Sequence, residues 1–138
     1  MRGKINKSAT AEAVRKLIQE IYMKFERELL KGIAPVVVLE ILCRGEMYGY
    51  ELSEAVEQRS GKVLTLGKGT LYPLLYNLEA KGLVVAQWQD GETGRKRRYY
   101  SITSKGREKL AGQKKQLGDL FEGLRLVFGF GPAPQPAY

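Results

Sequence analysis

Between residues 84 and 102 the hydrophobic period of this chain becomes that of a strand, turns, and returns. Val84, Ala86 and Trp88 alternate with Val85, Gln87 and Gln89, the period of two that puts successive side chains on opposite faces of a strand. Asp90, Gly91, Glu92, Thr93 and Gly94 are turn chemistry, and residues 97–102 read as the returning strand. What precedes this hairpin decides what it can belong to.

The period ahead of it is helical. Residues 11–30 carry Val14, Leu17, Ile18, Ile21, Tyr22, Phe25 and Leu29 at spacings of three and four, an amphipathic helix with Thr10 as N-cap and Glu12 in its first turn. Gly32 and Pro35 interrupt it, because proline lacks the interior donor and clashes with the preceding turn. A second helix is expected over residues 35–43. Its run of Val36, Val37, Val38, Leu39, Ile41 and Leu42 is apolar almost all round and alone would also suit a buried strand; Pro35 at its head and Gly45 after it favour a helix. A third helix is expected from Tyr48 or Gly49 to Gln58, with Leu52, Ala55 and Val56 inward. A fourth, over residues 70–81, turns Leu71, Leu74, Leu75 and Leu78 inward, with Thr70 as N-cap, Pro73 in the first turn and Gly82 as the stop. Two helices joined by a short polar loop behind a buried helix form a helix-turn-helix, and the hairpin after them forms a wing. The fold class expected is mostly α with a small β-hairpin wing: a winged helix-turn-helix with additional N-terminal and C-terminal helices.

Charge is distributed unevenly over this plan. The chain carries a net charge of +8, and a folded basic protein attracts nucleic acid or an anionic membrane surface. Residues 61–109 hold ten basic and four acidic side chains, whereas residues 31–60 hold three basic and five acidic. Arg95, Lys96, Arg97 and Arg98 follow one another at the hairpin, where phosphate contact is a better reading than a merely solvated face. On the fourth helix, Lys68, Thr70, Tyr72, Tyr76, Asn77 and Lys81 are the polar positions at its start or along its outer side. Asn77 suits bidentate pairing with adenine, and Lys68 or Lys81 suits phosphate or guanine. Tyr72 and Tyr76 equally suit half-burial with exposed hydroxyls.

Other chemistries lose support. The chain has no histidine and one cysteine, Cys43, so the commonest general base is missing, and thiolate or imidazole metal sites and internal disulfides have no ligands or partners. Cys43 reads as a small core residue. No Gly-rich phosphate loop or nucleophile elbow is present, and Asp119 and Glu122 read as solvated surface charges, so neither an enzyme nor a cofactor is expected. No apolar run reaches the length of about eighteen residues that a spanning helix needs, and residues 1–8 are basic without the apolar stretch of a signal peptide. A cytoplasmic protein is expected. Two rivals stay open: a winged helix whose partner is protein or RNA, and a membrane-surface protein using residues 11–30, whose apolar face alternates with Arg15, Lys16, Lys24 and Arg27.

After Thr103 or Ser104 as cap, a last helix is expected to continue to Phe128. Leu110, Leu117, Leu120, Phe121, Leu124, Val127 and Phe128 form an apolar stripe too long for one small winged domain to cover, and a projecting stripe usually meets its copy. Gly112, Gly118 and Gly123 each forfeit about 1 kcal/mol of helix propensity relative to alanine. Close helix approach in a homodimer would offset that, with Leu110, Leu117, Leu120, Phe121, Leu124 and Phe128 as contacts. The division expected is an N-terminal extension over residues 1–30, a DNA-binding domain over 31–103, a dimerisation helix over 104–128 and a disordered tail over 129–138.

Three stretches in order resemble a known family: Met47-Tyr48-Gly49-Tyr50-Glu51-Leu52; Gly69-Thr70-Leu71-Tyr72-Pro73-Leu74-Leu75 with Leu78-Glu79-Ala80-Lys81-Gly82-Leu83; and Gly94-Arg95-Lys96-Arg97-Arg98-Tyr99-Tyr100-Ser101-Ile102-Thr103-Ser104-Lys105-Gly106. Over residues 28–128 the chain is similar to the PadR family of transcriptional regulators. The resemblance implies a winged helix-turn-helix, a homodimer built through the C-terminal helix, and repression of a double-stranded, palindromic DNA operator that a small molecule relieves. It implies that the helix bearing Leu71-Tyr72-Pro73 is the recognition helix. A pocket between subunits, lined by residues 11–30 and 118–128, would take a small planar aromatic effector. Trp88 fits a wing-strand aromatic acting as a packing anchor, and residues 11–30 precede the stretch the resemblance covers.

Overall fold

The computed structural model describes the backbone of residues 7–131 and the side chains of residues 10–18 and 28–131. The readings made for Ile21, Tyr22, Lys24, Phe25, Arg27 and the tail beyond Gly131 lie outside the described side chains or residues. In chain order the elements are α1 (Lys7–Leu42), β1 (Met47–Tyr48), α2 (Gly49–Arg59), α3 (Lys68–Ala80), β2 (Val84–Asp90), β3 (Lys96–Ile102) and α4 (Ser104–Phe128). The chain divides into two compact units, Met1–Ala34 and Pro35–Tyr138. Within the first, Val14, Leu17, Ile18 and Leu29 are exposed. None of the described helices is long and apolar enough to cross a membrane.

One helix, α1, replaces the two expected on either side of Pro35, which lies inside it. A break there would open a new helix N-terminus, and Ile33 and Ala34 offer no side-chain acceptor to cap its four free donors. Continuing forfeits only the bond that Pro35 cannot donate. The division into units still falls at this proline, so the residue marks a boundary of packing and not of secondary structure.

The second unit has one core. Val38, Leu39 and Leu42 from α1, Leu52 and Val56 from α2, Leu71, Leu75 and Leu78 from α3, Val84 from β2, Tyr100 from β3 and Leu110 from α4 are all buried. Burying a large aliphatic side chain is worth roughly 1.5–3 kcal/mol, so this cluster holds the helices to the sheet. The loop between α2 and α3 is pinned by serines: Ser53 Oγ donates to the Leu66 carbonyl at 2.8 Å, and Ser60 Oγ accepts from the Leu64 amide at 2.9 Å.

The helix α3 starts earlier than Thr70. Gly67, extended at φ −76° and ψ 165°, is the N-cap, and its carbonyl accepts from the amides of Thr70 and Leu71 at 3.1 and 2.9 Å. Pro73 therefore lies beyond the first turn, at an exposed position where solvent can serve the carbonyl it leaves unmatched. Gly82, at φ +73°, ends the helix as expected.

The sheet has the order β1-β3-β2, all antiparallel, with Trp88 opposite Arg98, Ala86 opposite Tyr100 and Tyr48 opposite Tyr99. The two-residue strand β1 carries no alternation long enough to announce it. Thr103 caps α4, its side chain accepting from the Gly106 amide at 3.0 Å. The first turn of α4 lies hard against the start of the hairpin, because a Cβ on Gly106 would run into the Leu83 carbonyl and Ile102.

Candidate nucleic-acid interface

At 3.6 residues per turn, burial of Leu71, Leu75 and Leu78 turns Gly69, Pro73, Tyr76, Asn77 and Ala80 outermost on α3, and all five are exposed. Three of them are small, so reach beyond the helix falls to Tyr76, 71% exposed, and Asn77. Tyr72 lies on the flank toward the wing with Glu79, whereas Thr70 is half-buried on the opposite flank and Lys81 follows the last turn. Lys68, at the first position, is exposed.

Tyr72 is seated against the backbone of Gly49, where a Cβ would come within 2.7 Å of its hydroxyl. Only glycine leaves room there, so the first residue of α2 positions a side chain of α3. This partnership is long in sequence and carries no local signal beyond the glycine itself.

The hairpin's cations are arranged unequally. Arg95 and Lys96 are exposed at the turn. Arg97 lies over the Tyr48 ring at 4.4 Å, a cation–π contact that sets its direction without neutralising it. Arg98 donates from Nη2 to both Glu79 oxygens at 3.0 and 2.8 Å and lies 5.7 Å from the centre of the Tyr100 ring. Burial pushes the Tyr100 hydroxyl above the ordinary tyrosine value, with the neighbouring Arg98 charge opposing it. Sequence reasoning treated the four cations as free of acidic partners and missed Glu79; an acid on an otherwise basic face was the available signal.

Tyr72, Lys96, Arg97 and Arg98 converge on one concavity of ≈ 380 Å³, with Tyr48, Gly49, Trp88 and Tyr100 completing its walls. Trp88 is not the packing anchor expected from its place on the strand, since it is 66% exposed. Val84 and Tyr100 on the same face of the hairpin are buried, and the core ends before the strand reaches Trp88.

Along α4 the apolar stripe divides. Leu110, expected as a dimer contact, is 5% exposed and belongs to the core of its own domain, because the first turns of α4 pack on the hairpin. Leu117 is half-buried, and Leu120, Phe121, Leu124, Val127 and Phe128 are exposed. Lys114 pairs with Glu40 at 3.1 Å and so ties the middle of α4 to the end of α1. Cys43 is half-buried and free.

Residues 38–112 match the family described as the transcriptional regulator PadR-like family. The transcriptional regulator Rv3488 of Mycobacterium tuberculosis is 33% identical to this chain over 94 residues, which cover 68% of this chain and 84% of that protein. The crystal structure of a PadR family transcriptional regulator from Eggerthella lenta is similar with a TM-score of 0.69 and 28% identity, covering 84% of this chain and 99% of that one. That of a PadR-like transcriptional regulator from Bacillus cereus gives a TM-score of 0.65 at 30% identity, covering 76% and 99%.

Proposed function

The chain belongs to the PadR-like family of transcriptional regulators, and from that premise we propose that it is a cytoplasmic, homodimeric repressor that reads a palindromic duplex operator. The observation that carries the reading is the shared face of α3 and the wing. Tyr76 and Asn77 stand outermost on a helix that fits a major groove, and Arg95, Lys96 and Arg97 stand on a hairpin able to reach phosphates beside it. The strut from Arg98 to Glu79 holds these two elements at one spacing. Lys68, Thr70, Tyr72 and Lys81 complete the helix side, and Arg98 the wing side.

Dimerisation follows from α4. Its exposed Leu120, Phe121, Leu124, Val127 and Phe128 form an apolar surface that water does not favour, and a two-fold pairing of this surface, joined by Leu117, gives two reading heads for two half-sites. Release from DNA by a small planar aromatic effector completes the proposal and rests on the family. It is tested by screening such compounds for loss of bound duplex.

Selection of bound sequences from a pool of random duplexes tests the whole. A palindromic winner is expected. A pool that gains no sequence preference after repeated rounds would sink the operator reading, and enrichment of a single non-repeated site would sink the two-fold arrangement.

A further inference from the structure

We propose that the concavity between α3 and the wing seats one nucleotide of the duplex backbone, with Trp88 against a deoxyribose and Lys96 and Arg97 on the flanking phosphate. The inference rests on the DNA-binding reading above and adds to it a residue that contacts sugar.

Three observations point to that occupant. Trp88 is 66% exposed although its strand partners inward of it are buried, so the fold itself does not account for a large aromatic there. The walls beside it are cationic, with Lys96, Arg97 and Arg98 lining the same ≈ 380 Å³ space. Among the described residues, β1 pairs with β3 only at Tyr99 and Tyr100, which leaves the flank of β3 at residues 96–98 without a neighbouring strand. A nucleic-acid backbone alternates anionic phosphates with the apolar faces of its sugars, and this surface alternates an indole with cations. A free inorganic anion would have no use for the indole.

The site is also built before any ligand arrives. Arg97 is directed by its stack on Tyr48, Arg98 by Glu79, and the Tyr72 ring by the space over Gly49. Less side-chain freedom is then lost on binding. Because the contact is to sugar and phosphate, it fixes the position of the wing and is indifferent to base sequence.

Trp88 is the single tryptophan of the chain, so emission from the full-length protein reports this site alone. Titration with the selected operator and with a random-sequence duplex should give a saturable change in tryptophan emission that tracks binding by anisotropy on both. Trp88→Ala should weaken both duplexes roughly tenfold through lost apolar contact and keep the wild-type salt slope, while Arg97→Ala should lower the slope by about 0.9. An exposed position makes unfolding of the variant an unlikely confounder, and Trp88→Phe, expected to fall between wild type and alanine, guards against it. Duplex binding with unchanged emission and wild-type affinity of Trp88→Ala would overturn the inference alone. Failure to bind any duplex would overturn the DNA reading together with it. An emission change that follows protein concentration without DNA would place a second copy in the concavity and overturn it too.

Discussion

The Arg98 guanidinium of the wing meets the Glu79 carboxylate of α3 through a single nitrogen, Nη2, that donates to both oxygens at 3.0 and 2.8 Å. A charged residue on the recognition helix is thereby used to hold the hairpin in place. The two side chains are 40% and 29% exposed, so solvent screens the pair, and a double-mutant cycle of Arg98→Ala and Glu79→Ala should return a coupling of about 0.5–1 kcal/mol in stability. Since the charge of Arg98 is already matched, Arg98→Ala should flatten the salt dependence of DNA binding less than Lys96→Ala or Arg97→Ala. Equal flattening by all three would mean that the strut opens when DNA binds.

Glycines of α4 should respond in opposite ways according to what surrounds them. Gly106→Ala forces a methyl group onto the Leu83 carbonyl and Ile102 and should destabilise the domain by about 1–3 kcal/mol, the usual range for overpacking. Gly118 and Gly123 have open space around them within one chain, where alanine would add about 1 kcal/mol of helix propensity. If partner helices approach closely at these positions, Gly118→Ala should instead weaken the dimer. Chemical denaturation at several protein concentrations separates the two effects, and a simple gain in stability would move the close approach elsewhere on the helix.

The division of the apolar stripe gives a third test. Leu110→Ala opens a cavity in the core and should cost about 2–5 kcal/mol of stability, whereas paired Phe121→Asp and Leu124→Asp place charge on an exposed face and should leave each domain folded. Light scattering should then find the second variant monomeric. A stable dimer carrying both aspartates would refute assembly through α4.

Alkaline pH should weaken the fold through Tyr100. Burial raises its hydroxyl above the ordinary tyrosine value, so the group contributes stability that is fully present below the unfolded value near about pH 10 and is lost as pH rises through the folded value. Tyr100→Phe removes that ionisation. Thermal midpoints of wild type and variant should therefore diverge from their neutral-pH difference only above that point, with the variant declining less steeply. Parallel curves would show that Tyr100 ionises equally easily in both states.

Much of this architecture was legible because it is local. The inward leucines of α3, the alternation at Val84 to Trp88, Gly82 as a stop and Thr103 as a cap each declare themselves within a few residues. Pro35 misled because a local breaker was weighed without asking whether a new helix start could be capped, and Ile33 and Ala34 cannot cap one. Thr70 misled in the same manner, since a good capping residue drew the helix start away from Gly67. Relations across the chain left no such trace: Glu79 with Arg98, Gly49 beneath Tyr72, and the pairing of Met47 and Tyr48 with β3. Leu110 and Trp88 show the same limit from the side of burial, because periodicity assigns a face to each residue but not how far along that face the core extends.

Fluorescence anisotropy with operator and scrambled duplexes across a salt series tests most directly the division of labour between α3 and the wing. Asn77→Ala should lose about 1–3 kcal/mol on the operator, with little change on the scrambled duplex and a salt slope close to wild type. The double variant Lys96→Ala and Arg97→Ala should weaken both duplexes alike and lower the slope by about 0.9 for each phosphate contact removed. A wing variant that keeps the wild-type slope, or an Asn77 variant that loses operator and scrambled duplex equally, would contradict a helix that reads sequence beside a wing that holds the backbone.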